Sequence, residues 1–127
     1  MKKEQKACNQ VLLPWPPKVL SPNARAHWRA RSKAAKAYRY SCFMGAKLGG
    51  LVAPVGRLLL VIEFLPPNRA RRDDDNLIAA FKSGRDGLAD ALGVDDSLFV
   101  TQCMLSDEVC PGGAVRVTFK PYQAQRP

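Results

Sequence analysis

Residues 57–65, RLLLVIEFL, constrain the fold of this chain more than any other stretch. Their branched apolar side chains read as a central strand, so a sheet must be built around them. Glu63 is the one acid in the run. An unpaired buried carboxylate is costly, so Glu63 needs a partner, either an arginine or an ion. Pro66, Pro67 and Asn68 stop the strand, and an exposed loop follows.

The other elements arrange themselves around that strand. Residues 10–17, QVLLPWPP, give a short edge strand closed by prolines that cannot stay in a ladder. Ser21 and Pro22 can cap and start a helix, with a start several residues later as the alternative. At 100° per residue, Trp28, Ala35, Tyr38, Cys42 and Ala46 share one arc of that helix, while Arg25, Arg29, Lys33, Lys36 and Arg39 fill the next. The helix therefore packs with one stripe and offers a basic one, until GGLVAP at residues 49–54 ends it. A second helix is predicted over residues 77–92, weakened at Gly84 and Gly87 and ended by Gly93. Two strands, residues 97–105 and 114–120, then read as a hairpin turning through Pro111, Gly112 and Gly113. The order β-α-β-α-β-β predicts a two-layer α+β domain, a small mixed sheet with helices on one face. At 127 residues one domain, 1–127, is expected, with residues 1–9 and 121–127 flexible.

Charge is divided along the chain. Residues 1–57 hold twelve Lys or Arg against one acid, a net of +11, whereas residues 58–127 hold eight against ten, a net of −2. A surplus of this kind is the usual footprint of a polyanionic partner, because each cation that neutralises a phosphate releases condensed counterions. Nucleic acid leads, and a membrane is disfavoured because no apolar run approaches the ~20 residues needed to span one. With no secretory signal evident in the first residues, a cytoplasmic protein is expected. The four cysteines form no CxxC pair and the single His27 lies far from them, so reduced thiols are expected and zinc is not.

The acidic cluster Asp73, Asp74, Asp75 admits two structural explanations. Aspartate is favoured at a helix N-cap and in its first turn, which accounts for one or two of them. Ion pairing with Arg69, Arg71 and Arg72 on an exposed loop contributes only about 0–1 kcal/mol per pair. Neither needs three carboxylates in a row. In an extended segment Asp73 and Asp75 share a side, leaving Asp74 as cap or as a supporting group behind them, and D-x-D becomes a platform for Mg²⁺ or Mn²⁺. The flanking arginines would then hold phosphates. Asp95 and Asp96 are the natural source of a further ligand, although aspartate is also common in a turn after a helix. Glu63 stands behind these as a supporting carboxylate.

LPWPP at residues 13–17, Asn23, the strand carrying Glu63, RRDDDNL at residues 71–77, VDDS at residues 94–97 and the closing strands together resemble the RusA family of Holliday junction resolvases. The resemblance covers most of the chain in order. It implies a homodimeric, Mg²⁺- or Mn²⁺-dependent endodeoxyribonuclease that cuts four-way DNA junctions by paired nicks in recombination and repair, of bacterial and commonly phage or prophage origin. On that resemblance Asp73, Asp75 and Asp96 are the catalytic, metal-holding carboxylates, with Asp95 beside them. Arg69, Arg71, Arg72, Asn76 and Lys82 would contact the nearby backbone, while Lys18, Arg25, Arg29, Lys33 and Lys36 would guide the DNA arms. One departure stands out: where the family has a lysine one turn into the helix, this chain has Ala79, and Lys82 is the nearest lysine.

One straight helix over residues 77–92 would set Asp96 roughly 24 Å from Asp75, too far to share an ion. Either the helix breaks near Gly84 and Gly87 or the carboxylates meet across a two-fold axis. The rival readings are a nucleic-acid-binding module without catalysis and a less selective nuclease of branched DNA. Trp15 and Trp28 are expected in the core.

Overall fold

A strand of leucine, isoleucine and phenylalanine needs neighbours on both sides, and Leu58–Leu65, β2, has them. The computed structural model describes residues 9–122. Gln10–Pro14 forms β1, Phe99–Leu105 β3 and Ala114–Pro121 β4, in one mixed sheet of order β1-β4-β2-β3. Alternate residues of β2, Leu58, Leu60, Ile62 and Phe64, are buried beneath the helices with Val115, Val117 and Phe119 of β4. The expected α+β class, with a short edge strand first and β2 inside the sheet, is what the chain forms.

The expected hairpin between the last two strands is not formed. β3 runs parallel to β2, and β4 crosses to the other side of β2 to lie antiparallel between it and β1. Side-chain character explains the choice. β4 carries Val115, Val117 and Phe119 and goes inside, whereas β3 presents Thr101 and Gln102 to solvent and stays at the edge. The link between them is tied down as it passes the end of β2: Ser106 N–H donates to the Phe64 carbonyl and Cys110 N–H to the Pro66 carbonyl, each at 2.9 Å. Gly112 and Gly113 then turn the chain with φ of 81° and 75°, which L side chains rarely adopt.

The first helix, α1, spans Trp28–Leu48, not residues 21 or 22 onward. The chain before it is occupied by a 3₁₀ turn at Lys18–Leu20, and His27 is the cap, its Nδ1 accepting from Arg29 N–H at 3.1 Å. Tyr38, Cys42 and Ala46 are buried as the periodicity requires. Trp28 is not: it is 67% exposed, a correction to its place in the apolar arc. The buried residues of α1, Tyr38, Cys42 and Ala46, all lie from its midpoint onward, and Trp28 stands ten residues before the first of them.

The second predicted helix is two, α2 (Asp74–Ala80) and α3 (Lys82–Leu92), divided at Phe81. The expected weak points, Gly84 and Gly87, lie inside α3. They serve packing. A Cβ on Gly84 would sit 2.8 Å from the Tyr38 ring, and one on Gly87 would sit 2.2 Å from the Arg39 carbonyl oxygen, so α3 lies directly on α1 through its glycine face. Phe81 itself is buried, its ring edge-to-face with Tyr38 and Phe64 at 6.1 and 6.0 Å. Trp15 continues this series edge-to-face on Phe64 at 6.1 Å.

At the rim of the helix pair, Arg39 grips Asp90 through two bonds of 2.7 and 2.9 Å. The guanidinium holds the Asp90 carboxyl below its usual range. A carboxyl whose pKa is depressed on folding contributes stability above its unfolded value, about 3.9, and loses it as pH falls through the folded one. Asp90→Asn should therefore lower the thermal midpoint slightly at pH 7 and not at all near pH 2, as melting curves at the two pH values will read. The effect is small because both side chains are well exposed.

Of the segments expected to be flexible, Asn9 accepts from Phe119 N–H at 2.7 Å and Tyr122 N–H donates to the Arg57 carbonyl at 2.9 Å. The remainder, with Cys8, lies outside the described residues.

Candidate nucleic-acid interface and acidic site

The loop after β2 is organised by Arg72. Its guanidinium donates to the carbonyls of Asn68 and Ala70 and to Asn68 Oδ1, at 2.8 to 3.0 Å, and lies 5.7 Å from the centre of the Trp15 ring. Asn68 adds an Asx turn, its Oδ1 accepting from Ala70 N–H at 3.0 Å. Arg72 thus holds the loop to the aromatic series of the core. It has little capacity left for a phosphate. Arg69 and Arg71, by contrast, are exposed and make no ion pair or hydrogen bond among the described residues.

Asp73 is the N-cap of α2, its Oδ1 accepting from Asp75 N–H at 2.9 Å. This reverses the expected division of labour, in which Asp74 capped and Asp73 and Asp75 faced one way from an extended segment. Asp73 is extended, but Asp74 and Asp75 already belong to the first helical turn. They welcome the helix N-terminus there. Asp73 borders a groove of about 730 Å³ with Trp15, Lys18, Arg71, Asn76 and Leu77 among its walls. Asp74 and Asp75 border a smaller hollow with Phe64, Ile78, Cys103 and Met104. Asp73 therefore borders one hollow and the pair Asp74 and Asp75 another.

Asp96 lies elsewhere. It opens the 3₁₀ turn Asp96–Leu98 before β3, whereas Asp75 borders the far end of that strand. Seven residues of β3 separate the two by roughly 20 Å. The interruption at Phe81 does not close the gap that the helix length predicted. Among the described residues, no three of His, Cys, Asp and Glu gather closely enough to hold an ion. Arg85 holds Asp96 instead, with Nη1 at 3.5 Å from Oδ2 and Nη2 at 3.3 Å from the main-chain oxygen, while its Nε donates to Thr101 at 3.2 Å. Asp95 caps the same turn. Its carboxylate accepts from Ser97 N–H at 2.9 Å, and the Ser97 amide and hydroxyl hold its pKa below the ordinary range.

Glu63 finds the arginine that its position demanded. Arg116, directly across from it on β4, approaches to 3.4 Å and also reaches Glu108 at 3.5 Å. It pairs across the sheet, not with the aspartates. Lys82 and Ala79 line one hollow with Arg31 and Asp86, so a cation does stand beside Ala79. Lys18 and Asn76 join the groove, and Arg25, Arg29, Lys33 and Lys36 are all exposed. Sequence reasoning missed Arg85 and the anchoring role of Arg72. Asn68 after two prolines was a readable signal for the loop, whereas nothing local to Arg85 announced its reach across to Asp96 and Thr101.

No helix among the described residues is long and apolar enough to cross a membrane. No family model matches the chain. It is 52% identical over 117 residues to an uncharacterized protein of Xylella fastidiosa (strain Temecula1), a match covering 89% of this chain and 76% of that protein.

Proposed function

The chain belongs to the family of that Xylella fastidiosa protein, and we propose that its activity is the RusA-like one, metal-dependent cutting of branched DNA at four-way junctions. The observation that carries the reading is the placing of Asp73 at the edge of the large groove with Lys18, Arg71 and Asn76 in its walls. Carboxylate and phosphate-binding cations share one site there.

The donor set suits Mg²⁺ or Mn²⁺ in one respect and falls short in another. Such ions are commonly held by one or two carboxylates, the rest of their shell being water and substrate phosphate oxygens. Asp73 keeps Oδ2 out of its capping bond, and Asp75 is exposed in the first turn of α2, although it borders a different hollow. Asp96, about 20 Å away, would join them only from a second copy of the chain in a homodimer. The chemistry such an ion supplies when bound is activation of water and neutralisation of charge on the attacking and leaving oxygens. The chain's own part is to bring the phosphodiester there. Arg69 and Arg71 fork onto backbone phosphates, Lys18 and Asn76 hold the strand along the groove, and Arg25, Arg29, Lys33 and Lys36 attract the arms.

The test is a magnesium and manganese titration on a synthetic four-way junction. Paired symmetric nicks are expected, reduced at least 100-fold by Asp75→Asn, in line with the effect of removing a group that acts on the transition state. Binding without nicks in either metal would sink the nuclease. Nicks of equal rate on forks and flaps would support the less selective enzyme.

One arrangement favours a binding module without catalysis: Asp73 caps α2, Asp95 caps its turn and Asp96 pairs with Arg85. Each of these has structural work. The same titration separates the two readings.

A further inference from the structure

Trp28 stands exposed at the beginning of α1, and its surroundings explain neither its size nor its position. The residue is 67% exposed. Two polar side chains touch it, the Arg29 guanidinium 5.3 Å from the ring centre and the His27 imidazole 5.7 Å away, and no apolar side chain stacks with it among the described residues. An indole left in water forgoes the burial that usually justifies it.

Along the chain on either side of it charge is of one sign. Residues 5–62 contain no Asp or Glu, Arg25 and Arg29 are exposed within three residues of Trp28, and Lys33 is exposed five residues on, about 140° around the helix. The cations are also free to act. Arg31 is committed to the Ala24 carbonyl at 2.8 Å and Arg39 to Asp90, whereas Arg25, Arg29 and Lys33 make no side-chain hydrogen bond or ion pair among the described residues. This surface continues into the groove at Asp73. Lys18 and Ser21 line the groove, the 3₁₀ turn that Lys18 opens packs on both α1 and α2, and Leu20 shares the next hollow with Arg31. Trp28 lies one helical turn from Arg31.

We infer that Trp28 is a stacking residue for an unpaired base, on a strand whose phosphates are held by Arg25, Arg29 and Lys33. An aromatic platform beside a cationic track is what binds unstacked nucleic acid without regard to sequence, since every base offers a π-face and a duplex end-stacked on itself does not. At a branch point, where bases are most easily splayed, this gives the chain a means of telling a junction from a plain duplex. An anionic membrane would need an apolar stripe, and the other exposed large apolar residues of α1, Tyr40 and Leu48, lie about 120° and 160° around the helix from Trp28. The inference rests on the nucleic-acid part of the proposed function and not on cleavage.

The experiment is binding without metal, in EDTA, of fluorescent oligonucleotides to the full chain and to Trp28→Ala, Trp28→Tyr and Arg29→Ala/Lys33→Ala. The probes are an oligothymidine, a four-way junction and a linear duplex. Trp28→Ala should weaken oligothymidine and junction binding by about 5- to 150-fold and duplex binding far less, with Trp28→Tyr restoring most of the loss. The double variant should weaken all three and flatten the salt dependence. Equal losses on every probe, or none, with Trp28→Ala would overturn the inference while leaving the nuclease reading intact. A wild-type chain that binds none of the DNA would overturn both. A blue-shifted tryptophan emission on vesicles containing phosphatidylglycerol, with no response to DNA, would reassign the surface to a membrane.

Discussion

Gly87→Ala should destabilise the fold by about 2–4 kcal/mol, or prevent it from forming, although alanine is the better helix former by roughly 1 kcal/mol. The new methyl would lie 2.2 Å from the Arg39 carbonyl oxygen and 3.1 Å from the Phe43 amide nitrogen. Both are backbone atoms of α1 and neither can rotate aside. Relief requires α3 to move off α1 by about an ångström or more, and interiors packed to crystal density do not yield that cheaply. Gly84→Ala should cost less. Its near neighbours are the rings of Phe81 and Tyr38, at 2.7 and 2.8 Å, which can tilt. Chemical denaturation of the two variants beside wild type reads the difference. Equal midpoints for Gly87→Ala and wild type would mean that the helices are not in contact at this point.

Mixing two inactive proteins should restore cleavage if the carboxylates are shared between copies. Asp75→Asn and Asp96→Asn should each nick a four-way junction at least 100-fold more slowly than wild type. Co-refolded as heterodimers, each pair has one site with both native carboxylates and one with neither. Activity should then return to about half of wild type per heterodimer for a single nick, and paired nicking should stay low. The separation of roughly 20 Å along β3 is the reason for this expectation. Heterodimers as inactive as their parents would place both carboxylates in the site of one chain. Asp96→Asn with full activity would remove Asp96 from the site altogether, leaving it as the partner of Arg85.

How much of this was readable beforehand depended on whether the deciding contacts were local. β2, the buried stripe Tyr38, Cys42 and Ala46, and the left-handed Gly93 cap all follow from nearest neighbours along the chain, and all are found. The place of β4 was not, because Val115, Val117 and Phe119 declare that a strand is interior without saying between which partners. Gly84 and Gly87 looked like weak points in a helix for the same reason. Their meaning lies in Tyr38 and Arg39, more than forty residues away. Trp28 keeps the azimuth of the core, but periodicity does not say where along α1 the packing begins, and it begins at Tyr38. At the acidic site the residue types were legible and the geometry was not: helix capping begins one residue earlier than expected and takes Asp73 for itself.

The strand order has a consequence for how the molecule comes into being. β4 is the last strand made and occupies an inner position, bonded to β1 on one side and β2 on the other, with Gln10 meeting Thr118 across 108 residues of sequence. On a ribosome β1 must therefore wait for about 100 further residues, roughly 5 to 20 s at ordinary elongation rates, with its apolar face uncovered. Contacts this distant slow folding, since the loop must close before any of them rewards it. A chain cut after residue 113 loses the middle of its sheet, and β1 has no strand left to pair with.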